Sequence, residues 1–287
     1  MIGVVEYENS VFINDLLKKI GKPFQWIQYR QLPTPFFNDY KVIIDRLSLQ
    51  NEFLSTTLKI QSMNNAYVIN NPFSCDVLNK GVDMSILNEL NIPHPKTFIL
   101  PSFVGEWDLG KAISKVNWEI IVKEFSFPII MKPLMGWGWR NVFEINSIEE
   151  LKNKYEEFAE KEVMVVQEKI IADTFLRVFC VGKEKTLVTK YLPAPLGAGK
   201  IVIHDCSQEL IKKVSDWSLT FCKKVDLDFN VVEWAVRENK PFVIDAYNPI
   251  PDVSEKIPKE YYNWIVNELA SFVNKIYEAN SKNKKFF

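Results

Sequence analysis

Glycine is scarce in this chain, with 10 residues in 287, about half of the ~7% that is usual. Histidine is scarcer, at two. His94 sits in a proline-rich turn and His204 near a helix start, so both read as structural, and no Ser-His-Asp pattern accompanies them. A net charge is also lacking: 35 Lys and Arg against 36 Asp and Glu leave -1. No global field then exists to attract nucleic acid or anionic lipid. Uninterrupted apolar runs stop at four residues, which excludes a helix long enough to span a bilayer. The opening stretch MIGVVEYENS has no basic flank and no long apolar core, so it does not read as a secretory signal. The four cysteines (Cys75, Cys180, Cys206, Cys222) are far apart and form no CxxC pair. Reduced thiols in a cytoplasmic protein are the simplest expectation.

What is present is globular. Hydrophobic residues make up 47% and charged residues 25%, enough to exclude a wholly disordered chain. The length suits one large domain or two to three small lobes. Strand and helix signals alternate at the start. IGVVEY (2–7), FQWIQY (24–29), YKVIIDRL (40–47) and AYVINNP (66–72) read as strands. Val11, Phe12, Leu16, Leu17 and Ile20 recur at helical spacing before Gly21, and 51–64 is a weaker helix. This alternation predicts a parallel sheet in an N-terminal α/β lobe over 1–78.

In 78–100, Val82, Ile86, Leu87 and Leu90 mark one helix face, and Pro93 and Pro95 then force extended chain. A helix is expected over 108–116. FPIIMKP (127–133), NVFEI (141–145) and VMVVQEKII (163–171) read as strands. Ser147 and Glu150 form a capping-box signature ahead of a helix. A central lobe thus covers 79–169. In 170–287, LRVFCVG and KTLVTKYL pair as a hairpin, and 208–225 is an amphipathic helix. NVVEWAV (230–236) and PFVIDAYN (241–248) flank a turn, 259–278 is an aromatic-rich helix, and the tail NSKNKKFF is expected to fray. No internal repeat or low-complexity linker separates these lobes.

Three segments could carry chemistry. In MKPLMGWGW (131–139), Lys132 ends a buried strand, where its ammonium is costly unless it meets an anion. Gly136 and Gly138 let the backbone approach that anion and donate N–H groups. A lysine snorkelling beside a plain turn is the equal alternative. In NVVEWAVRENKPFVIDAYNPIPD (230–252), Glu233 and Asp245 fall on adjacent antiparallel strands close to the hairpin, with Asn248 just beyond. Opposed carboxylates repel unless a cation lies between them, and hard oxygen ligands suit Mg²⁺ with phosphate. The competing reading is an exposed acidic hairpin, which the apolar flanks VV, WAV and FVI oppose. VVQEKIIADTFLRVFCVG (165–182) is a weaker candidate for a nucleotide edge.

Taken in order, these segments resemble the ATP-grasp superfamily over roughly 40–252, most closely its RimK-type and glutathione-synthetase-like members. NKGVDMSILNELNIPHPKTFIL looks like the family's "K…L…giPvPkT" segment and FPIIMKPLMGWG like its phosphate loop. VVQEKII looks like its adenine hinge, FLRVFCVG like its "diRvfvvG" strand, and VVEWAV with VIDAYNPIP like its metal-binding strands. The resemblance implies an α/β ATP-grasp fold, with an N-terminal open lobe followed by two α+β lobes clasping ATP. It implies that Lys80 and Lys132 contact phosphates and that 134–140 closes over them with Gly136 and Gly138. The hinge Gln167, Glu168, Lys169 and Ile170, with Asp173, would hold the nucleoside. Arg177 would meet the γ-phosphate or acyl phosphate. Glu233, Asp245 and Asn248 would bind Mg²⁺, with Mn²⁺ as a substitute.

Several positions depart from the family pattern. Trp139 and Asn141 replace later loop glycines, Lys169 stands where an aromatic is common, and Phe175 takes the place of the usual acid before Arg177. DAYN places the asparagine one residue late, which calls for a bulge or another use of Tyr247. The implied function is ATP-dependent ligation of a carboxylate to an amine through an acyl phosphate, releasing ADP and phosphate. The substrates would be amino acids or peptides, a protein tail included, with no nucleic acid or membrane partner and with homo-oligomerisation left open. The alternatives are a nucleotide-binding regulatory or assembly protein without ligase activity, and an ATP-grasp kinase.

Overall fold

The structure is a computed structural model that describes residues 1–28, 40–103, 115–136, 138–194, 199–254 and 256–284. The helix predicted over 108–116 falls almost wholly outside these residues. The first sheet is built from β1 (Ile2–Val5), β2 (Phe24–Trp26), β3 (Val42–Asp45) and β4 (Tyr67–Ile69). Its order is β2-β1-β3-β4, every pair parallel. Helix α1 (Val11–Ile20) starts where the Ser10 side chain accepts from the Ile13 amide. It stops at Gly21, whose N–H still donates to the Leu17 carbonyl and whose φ of +66° turns the chain out of the helix. Helices α2 (Glu52–Met63), α3 (Pro72–Val77) and α4 (Lys80–Glu89) follow.

The second sheet contains β5 (Thr97–Ile99), β6 (Ile129–Pro133), β7 (Phe143–Ile145) and β8 (Met164–Glu168), in the antiparallel order β5-β8-β6-β7. Helices α5 (Trp118–Glu124) and α6 (Ile148–Phe158) accompany it. The cap predicted at Ser147 is present: its hydroxyl accepts from the Glu150 amide, while the Glu150 carboxylate reaches back to the Asn146 amide. The third sheet is β9 (Thr174–Val181), β10 (Lys185–Leu192), β11 (Lys200–Val202), β12 (Phe229–Arg237) and β13 (Lys240–Asp245), with α7 (Gln208–Val225) and α8 (Lys259–Ala279). Its order is β11-β10-β9-β12-β13, antiparallel throughout.

The third sheet buries its two faces against different neighbours. Leu176, Val178, Val232, Trp234 and Val243 join a core with α7 and with Met84 and Leu87 of α4. Phe179, Val181, Phe229 and Val231 join a core with α1, α8 and the first sheet. This alternation follows the period of two along a strand.

Two expectations are corrected. The inward stripe of α4 is Lys80, Asp83, Met84 and Leu87, while Val82 is exposed. The spacing is helical, but the first turn buries charge where an apolar reading selects Val82. The tail is not frayed through 284. Asn283 is buried, and its side chain accepts from the Val68 amide (2.7 Å) and the Ser62 hydroxyl (3.0 Å) and donates to the Val68 carbonyl (3.0 Å). It completes the bonding of edge strand β4 as a neighbouring strand would.

Candidate functional site

The face of the third sheet that buries Phe179 and Val231 continues to Arg177 on β9 and Glu233 on β12, which are only half-buried. Cross-strand register sets Arg177 opposite Glu233 and Glu233 opposite Asp245. The two acids are direct neighbours, as the sequence suggests. They occupy the last pair of the β12–β13 ladder, though, at the end remote from the turn and not close to it. The ladder slips between Glu233 and Trp234: Trp234 faces Val243, so Ile244 is the extra residue of a β-bulge. The bulge turns Asp245 onto the Glu233 face and leaves the Ile244 carbonyl free to accept from Lys132 Nζ at 3.0 Å.

A second irregularity accommodates the late asparagine. The Asn248 carbonyl accepts from the Val231 amide, so three residues past Asp245 span two residues of β12. The fully buried Asn230 holds this stretch. Its Nδ2 donates to the Ala246 carbonyl and its Oδ1 accepts from the Asn248 amide, both at 2.8 Å. Tyr247 turns away and donates to the Cys75 carbonyl. Asn230 was not singled out from sequence; the available signal was an amide inside an otherwise apolar strand.

Cations surround the acids. Arg177 Nη2 lies 2.7 Å from Glu233 Oε1. Lys80 Nζ, at the start of α4, lies 3.6 Å from Asp245 Oδ2 and donates to the Gly136 carbonyl at 3.0 Å. Lys80 and Lys132 are both buried. Burial pulls the Lys132 ammonium down to about 8, with Asp245 opposing the change. Burial raises the Glu233 carboxyl, an effect that Arg177 opposes and Asp245 adds to. Asp83, absent from the sequence-derived set, is fully buried beside this group. Burial and then Asp245 push its carboxyl up to about 8, against Lys80 and Lys132.

The remaining predicted residues spread outward. Gly136 carries Lys80 on its carbonyl, and a Cβ there would come 3.1 Å from Pro133 Cβ. Gly138 has φ +65° and is followed by Trp139 at +62°. Gln167 is buried and donates to the Thr97 hydroxyl. The Glu168 amide donates to the Lys96 carbonyl, Lys169 pairs with Glu144 at 2.7 Å, and Ile170 is buried. The Asp173 carboxylate accepts from the Glu238 amide at the β12–β13 turn, the end of that hairpin opposite Asp245.

Two buried polar atoms of the row, Asp245 Oδ1 and Arg177 Nε, have no hydrogen-bond partner. Among the described residues no group of three or more His, Cys, Asp or Glu could hold a metal ion. Two carboxylates and an amide suit a Mg²⁺ ion that keeps phosphate and water as its other ligands, not an all-protein cage. Among the described residues no helix is long and apolar enough to cross a membrane.

No family model matches the chain, and no curated protein matches it in sequence. Solved structures do. D-alanine–D-alanine ligase from Bacillus anthracis complexed with ATP is 18% identical, with a TM-score of 0.69 over 97% of each chain. A RimK domain ATP-grasp protein from Sphaerobacter thermophilus is 12% identical, with a TM-score of 0.70 over 96% of this chain and 98% of that one. The ATP-grasp ligase PsnB, complexed with a variant of its minimal precursor, Mg and ADP, is 12% identical, with a TM-score of 0.68 over 98% of both chains. Near-complete coverage in both directions, together with three sheets in the same succession as the sequence motifs, identifies the architecture: this chain has the ATP-grasp fold.

Proposed function

We propose that the protein is an ATP-dependent ligase joining a carboxylate to an amine, acting in the cytoplasm. The observation that carries this reading is the row Arg177–Glu233–Asp245 on the third sheet, faced by Lys80 and Lys132 from elements outside that sheet. Positive charge converges there from two sides and can hold a triphosphate. The next row on the same face is Phe175, Ala235 and Phe242, an apolar strip suited to the base, with the 167–170 hinge and Asp173 as its proposed edge. The proposed lobes are 1–78, 79–169 and 170–287.

In the proposed reaction a substrate carboxylate attacks the γ-phosphorus and ADP leaves. The amine then attacks the acyl carbon, loses a proton, and phosphate leaves. Lys80 and Lys132 hold the phosphates, and Arg177 holds the transferring phosphoryl oxygens. Mg²⁺, held by Glu233, Asp245 and Asn248, would neutralise phosphate charge. Loop 134–140, anchored through Gly136 and by Asn141 and Arg140 on Glu162, limits access of water. Fold neighbours that are a D-alanine–D-alanine ligase and an ATP-grasp ligase complexed with a precursor peptide support amino acids or peptides as the substrate class.

A non-catalytic nucleotide-binding role is the second reading. It is favoured by one observation: each acid of the row already has a cation, Glu233 with Arg177 and Asp245 with Lys80. Hydroxylamine separates the two. Added with Mg-ATP and a panel of amino acids, short peptides and small carboxylates, it converts an acyl phosphate to a hydroxamate, and ADP appears in step. A stable phosphorylated product without hydroxamate indicates a kinase. Nucleotide binding with no ADP release across the panel establishes the non-catalytic reading and removes the ligase.

A further inference from the structure

The row of acids and arginine does not stop at Arg177. Thr189 on β10 faces Arg177 across the ladder, and Tyr191, two residues on, shares that face. The Arg177 guanidinium carbon lies 3.7 Å from the centre of the Tyr191 ring. One face of the guanidinium therefore rests on an aromatic plane while its Nη2 reaches Glu233 at 2.7 Å. Its Nε is buried with no partner, so the stack and the Glu233 pair are what fix its orientation. Tyr191 is itself buried.

Against the hydroxyl end of Tyr191 stands Gly199, just before β11. A Cβ at Gly199 would come 2.1 Å from the Tyr191 hydroxyl and 2.4 Å from its Cζ. These are forbidden distances, so any side chain at 199 displaces the ring. Gly199 shows no positive φ, so the requirement is for space and not for backbone conformation. In a chain with so few glycines, this one is explained by the tyrosine lying over it. Gly199, Tyr191, Arg177, Glu233 and Asp245 thus form a series that runs across four strands of the third sheet, from the residue before β11 to the end of β13.

We propose that Tyr191 is a positioning residue for Arg177, and that Gly199 is required so that Tyr191 can lie in the place from which it does this. The inference rests on the nucleotide reading above, in which Arg177 meets the γ-phosphate. It adds that the ring orients Arg177 and that the start of β11 orients the ring. Guanidinium–aromatic stacking in a partly desolvated place changes an equilibrium roughly tenfold.

The readout is the ratio of calorimetric Kd values for Mg-ADP and for Mg with β,γ-imido-ATP, which needs no knowledge of the acid or amine. Wild type is expected to prefer the triphosphate, and Arg177→Ala to abolish the preference. If wild type binds neither nucleotide, or Arg177→Ala leaves the ratio intact, the nucleotide reading of Arg177 has failed, and the role of Tyr191 falls with it. If both controls behave, Tyr191→Leu should lower the preference roughly tenfold with Mg-ADP affinity unchanged, and Tyr191→Phe should retain it. Gly199→Ala should lower it in wild type but not further in Tyr191→Leu, because its effect runs through the ring. An equal loss of affinity for both nucleotides would mean that Tyr191 is only structural. Additive losses in the double variant would overturn the role of Gly199. If Tyr191→Leu does not fold, Gly199→Ala alone decides, and an unchanged ratio there refutes the proposal.

Discussion

Asp83 places a carboxyl group inside the protein with both oxygens buried and unpartnered. Burial raises it to about 8 from an ordinary 3.8, so the folded state keeps a proton that the unfolded state gives up above about pH 4. Between those values the native chain binds more protons than the unfolded one, and stability falls as pH rises. The slope of this single contribution is on the order of 1 kcal/mol per pH unit, and it ends above about pH 8. Asp83→Asn is expected to flatten that part of the profile, matching wild type near pH 4 and exceeding it at pH 8. Urea unfolding at the two values checks this, and equal slopes for the two proteins would disprove it. Nothing in the sequence pointed to Asp83. Apolar spacing selected Val82, which is exposed, because a hydrophobic pattern cannot register a helix that turns charge inward. Lys132 is legible for a different reason, since a lysine at the end of an apolar strand stands out locally, whereas Lys80 comes only through the resemblance of its segment to the ATP-grasp pattern.

Elements were more legible than their junctions. Strand and helix type followed from periods of two and 3.6, and the signals at Ser147 and Gly21 marked boundaries through local chemistry. The bulge at Ile244 and the clamp of Asn230 on Ala246 and Asn248 were only partly visible. The late asparagine called for an irregularity, but its place depends on pairing with β12, sixteen residues away for the Asn230–Ala246 bond. The tail failed for the same reason. NSKNKKFF is polar and reads as frayed, yet Asn283 bonds both backbone groups of Val68, 215 residues away. Asn283→Ala leaves those buried groups unpaired and should cost about 2–4 kcal/mol. The loss should appear as a lower urea midpoint with the m-value unchanged, and a midpoint equal to wild type would show that the clamp contributes nothing.

At the scale of the whole molecule, the site is a junction. Lys132 comes from the second sheet, Lys80 from α4, and Arg177, Glu233 and Asp245 from the third. Lys132 Nζ already crosses between sheets to the Ile244 carbonyl, and its pKa near 8 keeps most of its charge at pH 7. A triphosphate bound here would add a link between the second sheet, α4 and the third sheet, beyond the apolar core that α4 already shares with the third sheet. A ligand that binds only the folded chain stabilises it by about 2.7 kcal/mol at a hundredfold excess over Kd. For a chain of this size that corresponds to a rise of several degrees in Tm. Lys132→Met keeps the aliphatic stem and removes the ammonium. It leaves the Ile244 carbonyl unpaired, so the ligand-free protein should lose about 1–3 kcal/mol. The larger consequence is for linkage, because one of the two lysines facing the row is gone. Mg-ATP should raise the Tm of wild type and do so much less for Lys132→Met, whereas Lys154→Met, a half-buried lysine of α6 paired with Glu157, should respond as wild type does. A full Tm rise in Lys132→Met would take this lysine out of the phosphate site, and no rise in wild type at millimolar Mg-ATP would refute nucleotide binding at this junction.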